Sequence, residues 1–162
     1  MVFWSTADAE PTRQFRFKVL VGAETWWWAK SVTKPSFTIS SVSRKLYGIE
    51  YIYPEGIPEW NDVTMHIVDV GGKSKKLYDI LGGMGWSPDG TGQGISKTAA
   101  QSALGGGVVE IHQLDKDGEA VEKWKLHDPW IHHVDFGELN YSSDELVSIT
   151  IHISYGYATI ED

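Results

Sequence analysis

The sequence contains no cysteine among its 162 residues. Disulfide bonds, thiolate metal sites and cysteine nucleophiles are therefore excluded. It also has no run of about 18 apolar residues, and its first residues lack the basic region, apolar core and cleavage site of a signal peptide. We therefore expect neither a membrane-spanning segment nor secretion through a signal peptide.

Positive charge is scarce, with 14 Lys and Arg residues against 22 Asp and Glu residues and a formal net charge of -8. A sequence-specific nucleic-acid-binding protein needs basic side chains to neutralise phosphates, so this class is disfavoured. An acidic protein can still meet DNA in the opposite way, by presenting a surface to which the polymer does not adhere.

Recognisable catalytic motifs are absent as well. The sequence has no GxSxG, and the glycines of residues 90–94 match neither GxGxxG nor GxxxxGK[ST]. A cluster of carboxylates could form an acid–base pair, but such clusters are usually solvated faces in an acidic protein. We therefore predict no enzyme and no cofactor. The carboxylates in question are Glu50, Glu55, Glu59, Asp62 and Asp69.

Histidine is the remaining candidate metal ligand. His132 and His133 are adjacent, so their side chains diverge on an extended chain. His66 and His152 lie on polar strand faces without a carboxylate close in sequence. We therefore predict surface or packing roles for these histidines and no metal site.

The strongest positive signal is the alternation of apolar and polar residues, which is typical of strands with one buried face. It runs through residues 34–70 and is clearest in residues 146–157. The apolar fraction of 41% and the eight tryptophans supply enough area for a core. The sequence thus predicts one mainly β domain over residues 13–162, an antiparallel sandwich or barrel with one short flanking helix.

Several segments depart from this alternation. Residues 1–12 read as an N-terminal arm that docks through Phe3 and Trp4, either on its own domain or on a neighbouring copy. Residues 44–54 predict a long hairpin, and residues 85–107 a glycine-rich loop with one turn of helix within residues 97–104. A helix is predicted over residues 74–82, with Ser74 as its N-cap.

Three consecutive tryptophans, Trp26, Trp27 and Trp28, cannot all face one side of a strand. At least one of them must lie outside the domain's own core. They could form a platform for stacking sugars or bases, or they could pack against another protomer or a covering loop. The second interpretation is favoured, because aromatic residues are enriched in protein interfaces.

The order of these features resembles the tail tube proteins of contractile-tailed bacteriophages of the T-even type. The resemblance spans Phe15 to Tyr157 and is most specific in two blocks, residues 60–64 (WNDVT) and residues 139–155. The tryptophan run and the glycine content depart from the family pattern. A main tube subunit and a tube-initiating or baseplate relative therefore both remain open.

The resemblance implies hexameric rings that stack into the inner tube of a contractile tail, a structural component of the virion assembled in the host cytoplasm. Its implied partners are further copies of itself, the tail sheath protein, and baseplate and tube-terminator proteins. DNA would pass through the lumen during ejection without sequence-specific binding.

The polar strand faces suit the wall of such a water-filled channel, because they are hydrated and offer no cationic grip. The candidates for the lumen face are Thr64, His66, Ser148, Thr150, His152 and Ser154. The candidates for contacts between subunits are Phe3, Trp4, Trp26, Trp27, Trp28, Arg44, Lys45 and Tyr47.

Two alternatives remain beside the phage tube. The first keeps the architecture and changes the machine, to the inner tube of a type VI secretion system or a related contractile injection device. The second is a carbohydrate-binding β-sandwich, which the tryptophans and the lack of catalytic motifs would also allow.

Overall fold

The computed structural model describes residues 12–92, 94–104 and 106–161, and these form a mainly antiparallel β structure. The predicted contacts at Phe3 and Trp4 lie outside the described residues. The elements in chain order are β1 Phe17–Val21, β2 Glu24–Thr25, β3 Ala29–Val32, β4 Ser36–Thr38, β5 Ser41–Leu46, β6 Ile49–Pro54, β7 Glu59–Asn61, β8 Val63–Val68, α1 Lys73–Gly83, α2 Lys97–Ala103, β9 Val108–Leu114, β10 Ala120–His127, β11 Trp130–Asp135, β12 Ser148–Ser154 and β13 Tyr157–Glu161.

Two sheets account for most of the domain. A five-stranded sheet has the order β13-β10-β9-β1-β2, and a four-stranded sheet has the order β11-β12-β8-β3. All the pairings in both sheets are antiparallel. The short pair β4 and β7 and the hairpin β5 and β6 form two further two-stranded sheets.

The core lies between the two large sheets. Strands β8 and β12 each alternate buried and part-exposed residues, so each contributes one apolar face to it. The five-stranded sheet supplies the facing layer, and one residue from each helix region joins the cluster. Its members include Val19, Val63, Met65, Ile67, Leu77, Leu104, Val109, Ile111, Leu126, Ile149, Ile151 and Ile153.

The helices differ from the prediction in two respects. Ser74 is not the N-cap of α1, because that position is held by Gly72 in a left-handed conformation, while the Ser74 hydroxyl donates to Asp69. The glycine-rich region contains a second helix, α2, whose seven residues follow an N-cap at Ser96. Its N-cap is conventional, since the Ser96 side chain accepts a hydrogen bond from the Ala99 amide.

The hairpin β5–β6 projects from the domain, and every residue of both strands is exposed. Its two-residue turn consists of Tyr47 and Gly48, both with positive φ, as a tight hairpin of this type requires. Because an isolated two-stranded hairpin is marginally stable in water, we expect this one to be supported by contact with another chain.

Part of the loop between the helices has a defined structure of its own. The Asp89 carboxylate accepts hydrogen bonds from the Ser87 hydroxyl and from the hydroxyl and amide of Thr91. These bonds lower the pKa of Asp89 to about 2. The Thr91 amide thus donates its hydrogen bond to an acidic side chain of the same loop.

Gly85 closes this loop and should not tolerate a side chain. Its φ is 104°, and an added Cβ would collide with the carbonyl oxygen of Gly94. We expect Gly85→Ala to lower the free energy of unfolding by about 1–3 kcal/mol, measured by urea denaturation.

Gly82→Ala is the matched control for this substitution. Gly82 lies inside α1 with open space around its Cβ position, so alanine there should be neutral or stabilising by up to about 1 kcal/mol. Equal effects at the two sites would contradict the close packing of Gly85.

Candidate functional site: the polar face of the four-stranded sheet

The outer face of the four-stranded sheet carries polar side chains in register. His152 of β12 lies opposite Thr64 of β8, and Thr150 of β12 lies opposite His66 of β8. The six residues predicted for this face, Thr64, His66, Ser148, Thr150, His152 and Ser154, are all partly exposed. Their neighbours Val63, Met65, Ile149 and Ile151 point to the other side and are buried.

Cross-strand hydrogen bonds order this polar face. The Thr64 hydroxyl and His152 Nδ1 are 3.1 Å apart, and His66 Nδ1 and the Thr150 hydroxyl are also 3.1 Å apart. Such pairs fix side-chain rotamers on the sheet surface. The face is therefore both partly exposed and ordered.

The edge strands extend the polar face into two rows. In one row, His133 of β11 lies opposite His152, and the Thr33 hydroxyl accepts a hydrogen bond from the Thr64 amide at the other end. In the second row, Asp135 lies opposite Thr150, and Ser31 lies opposite His66. Asp135 is the single acidic residue of these two rows, and the exposed Lys30 lies beside Ser31 at the bulge of β3.

The sheet has two free edges in the described part of the chain, because β3 and β11 each pair with one strand only. Both edge strands contain a bulge, between Ala29 and Ser31 in β3 and between Ile131 and His133 in β11. An open edge exposes unpaired backbone groups and invites pairing with another strand. A second copy of the chain offers a complementary edge.

The three tryptophans take different environments. Trp26 is 3% exposed and belongs to the core, so its prediction as a contact between subunits was wrong. Trp28 stacks on Trp26, and Lys73 Nζ lies 3.5 Å from the centre of its ring. Trp27 is 79% exposed. A three-ring platform for sugars is not formed, and Trp27 is the most exposed of the three rings.

Three other predicted contact residues, Arg44, Lys45 and Tyr47, lie in the hairpin. Arg44 shares a face with Tyr51, whereas Lys45 points to the opposite face with Glu50. Tyr47 is fully exposed at the turn. The structure therefore spreads these residues over both faces and the tip.

An open cleft of about 580 Å³ lies between the two sheets beside β3 and is lined by Phe17, Val32 and Trp124. The Lys34 ammonium and the Glu122 carboxylate, 2.9 Å apart, bridge the sheets at this side. Burial raises the pKa of Glu122, but hydrogen bonds from Lys34 and Trp124 outweigh it, so that this pKa is lowered overall. The cleft therefore lies where the two sheets meet, and an ion pair links the sheets there.

A metal site with three or more protein ligands and a membrane-spanning helix are not found in the described residues. No group of three or more His, Asp or Glu side chains suited to a metal ion occurs among residues 12–92, 94–104 and 106–161. Neither helix in these ranges has the length and hydropathy needed to cross a bilayer.

Comparison with known proteins gives matches at the level of structure. No protein-family model matches the sequence, and no curated protein matches it significantly. A chain in the cryo-EM structure of the sheath/tube terminator of an extracellular contractile injection system, PVC, superposes with a TM-score of 0.73 at 15% identity. This superposition covers 94% of the present chain and 98% of that chain.

Two further structures are similar. A chain in the anti-feeding prophage tube-terminating cap gives a TM-score of 0.72 at 16% identity, covering 94% of this chain and 91% of that one. Hcp1 from Flavobacterium johnsoniae gives 0.53 at 10% identity, covering 90% and 94%. The predicted mainly β fold and the predicted resemblance are thus confirmed, and the chain has the fold of tail-tube and Hcp-like proteins of contractile injection systems.

Proposed function

We propose that this chain is a structural subunit of the inner tube of a contractile injection machine. Its copies form hexameric rings, the rings stack into a hollow rod, and the polar face of the four-stranded sheet lines the channel. The observation that carries the proposal is this face, which is ordered and partly exposed and has no Lys or Arg on its two central strands, β8 and β12. The sheet that bears it has two open edges.

The strand directions favour closure of the sheet by identical copies. Neighbouring strands alternate in direction across β11, β12, β8 and β3, so β3 of one copy meets β11 of the next as an antiparallel pair. Every junction around the ring is then equivalent, and no open edge remains.

The size of the channel follows from strand spacing. Six four-stranded sheets at about 4.8 Å per strand give a circumference of roughly 115 Å and a backbone diameter of roughly 37 Å, which strand tilt increases. A channel of this width admits a DNA duplex or a small folded protein.

The chemistry of the wall suits transport of an anionic polymer. A basic wall would hold DNA by releasing counterions, whereas the two central strands of this sheet, β8 and β12, carry no Lys or Arg. The net charge of -8 adds weak repulsion. DNA ejection through the tube of a phage virion, assembled in the host cytoplasm, is the corresponding function.

The second candidate machine is a contractile injection device, and the structural similarities support it as well. Two of the most similar chains belong to an extracellular contractile injection system and to the anti-feeding prophage, and Hcp1 has the same fold. In such a device the tube would deliver protein cargo. In both machines the partners we propose are further copies of the chain, a sheath, a baseplate and a tube terminator.

Light scattering and negative-stain microscopy of the purified chain test the proposal. We expect particles of six subunits that appear as rings with a hole of roughly 30–40 Å and that form rods at higher concentration. A chain that stays monomeric at the highest attainable concentration would contradict it, and glycan binding through Trp27 would favour the carbohydrate-binding alternative.

A further inference from the structure

We propose that His133 and His152 together bind a divalent transition-metal ion, with Zn²⁺ as the reference case. The two residues lie directly opposite each other on β11 and β12. The centres of their imidazole rings are 5.3 Å apart, and the ring planes are inclined by 60°. His133 is exposed and His152 is partly exposed, so an ion can reach both from solvent.

The spacing of the rings matches a shared tetrahedral ion. A Zn–N bond of about 2.0–2.1 Å places the centre of each imidazole about 3.2 Å from the metal. At a tetrahedral angle, two such rings have centres about 5.2 Å apart. The observed separation of 5.3 Å is compatible with this arrangement.

The Thr64 hydroxyl positions one of the two ligands. Thr64 Oγ1 lies 3.1 Å from His152 Nδ1. When Nδ1 donates its proton to this oxygen, Nε2 carries the free lone pair that a metal requires. A ligating histidine characteristically makes this kind of hydrogen bond through its second nitrogen, which fixes the tautomer and the ring orientation.

The donor set determines which ions fit. Two neutral imidazoles suit Zn²⁺, Ni²⁺ or Cu²⁺, whereas Mg²⁺ and Ca²⁺ require oxygen ligands. Since no third protein ligand joins the pair among the described residues, water completes the coordination sphere. The site is therefore open and exchangeable.

Other histidines in the described residues are less suitable. His132 is the unpaired residue of the bulge, and its Nδ1 is 3.2 Å from the Asp62 carboxylate. His112 is 7% exposed and is paired with Glu110. The proposed site belongs to a single protomer, so it is independent of whether the copies assemble into a tube.

Isothermal titration of the full chain with ZnCl₂ at pH 7 tests the site. We expect one Zn²⁺ per chain for the wild type, at least a tenfold loss of affinity in His133→Ala and in His152→Ala, and no response to Mg²⁺. Thr64→Val should weaken binding by about tenfold, because it removes the orienting hydrogen bond.

His132→Ala is the matched control and should leave the affinity within about twofold, because the pair does not use it. Since His133 is exposed, His133→Ala should keep the fold, which circular dichroism verifies, and its result is decisive. Unchanged Zn²⁺ affinity in that variant, loss of binding in His132→Ala, or no binding by the wild type at millimolar Zn²⁺ would each overturn the proposal.

Discussion

Replacing Ile151 with alanine should lower the free energy of unfolding by about 3–4 kcal/mol. Ile151 is fully buried in β12, the strand that lies between β11 and β8 in the four-stranded sheet. Its side chain packs in the core cluster between the two sheets. The truncation removes buried apolar area and leaves a cavity that paired strands on both sides cannot close.

Urea denaturation with the linear extrapolation method measures this effect, and Ile57→Ala is its matched control. Ile57 is 83% exposed in the loop between β6 and β7, so the same truncation there should change the stability by less than about 0.5 kcal/mol. Similar losses in the two variants would show that the core is not where the structure places it.

Replacing Ile49 with aspartate should abolish the stacking of rings while leaving the fold intact. The register of the hairpin puts Val42, Arg44, Leu46, Ile49, Tyr51 and Tyr53 on one face. Tyr51 and Tyr53 stack on each other there, and Ile49 is 56% exposed. We propose that this docking face contacts the neighbouring copy, where a buried carboxylate would be strongly unfavourable.

The expected effect is at least a hundredfold rise in the protein concentration needed for rods, because about 2–3 kcal/mol is lost per contact and every subunit repeats it. Sedimentation velocity and negative-stain images measure it, with the thermal midpoint as a check on folding. The midpoint should hold because the hairpin lies outside the core.

Ile52→Asp provides the control for this prediction. Ile52 lies on the same strand and is 68% exposed, but it points to the opposite face of the hairpin. Rods should therefore form in this variant much as in the wild type. If both variants assembled equally well, or both failed, the docking face would be wrongly assigned.

Alternation in the sequence was sufficient to predict the most regular strands. In β8 and β12 every second residue is buried. The polar residues of these two strands, from Thr64 in β8 to Ser154 in β12, could therefore be predicted one by one. His133 was missed as a member of this face because of the bulge in β11, which exposes His132 and His133 together. A bulge changes the alternation without leaving a clear signal in the sequence.

Other features depended on tertiary contacts that local sequence does not determine. The alternation of side chains predicted that at least one of the three tryptophans lies outside the core. The turn after β2 determines which one, because it places Trp26 inside and Trp27 outside. Helix α2 has seven residues, which are too few for a periodic pattern. Burial of Ala100 and of Leu104, the residue after its last turn, stabilises it. Ser74 was a plausible cap by type, but Gly72 holds that position.

The central claim, that the polar face lines the channel, is tested most directly by the position of a label on that face. Because the sequence has no cysteine, an introduced cysteine is the single labelling site. Thr150→Cys, labelled substoichiometrically with a small gold cluster, should place the gold inside the central hole of end-on rings in electron micrographs. Ser102→Cys, exposed on α2 outside the polar rows, should place it away from the hole. Gold from Thr150→Cys on the outer rim, with the hole empty, would contradict the account.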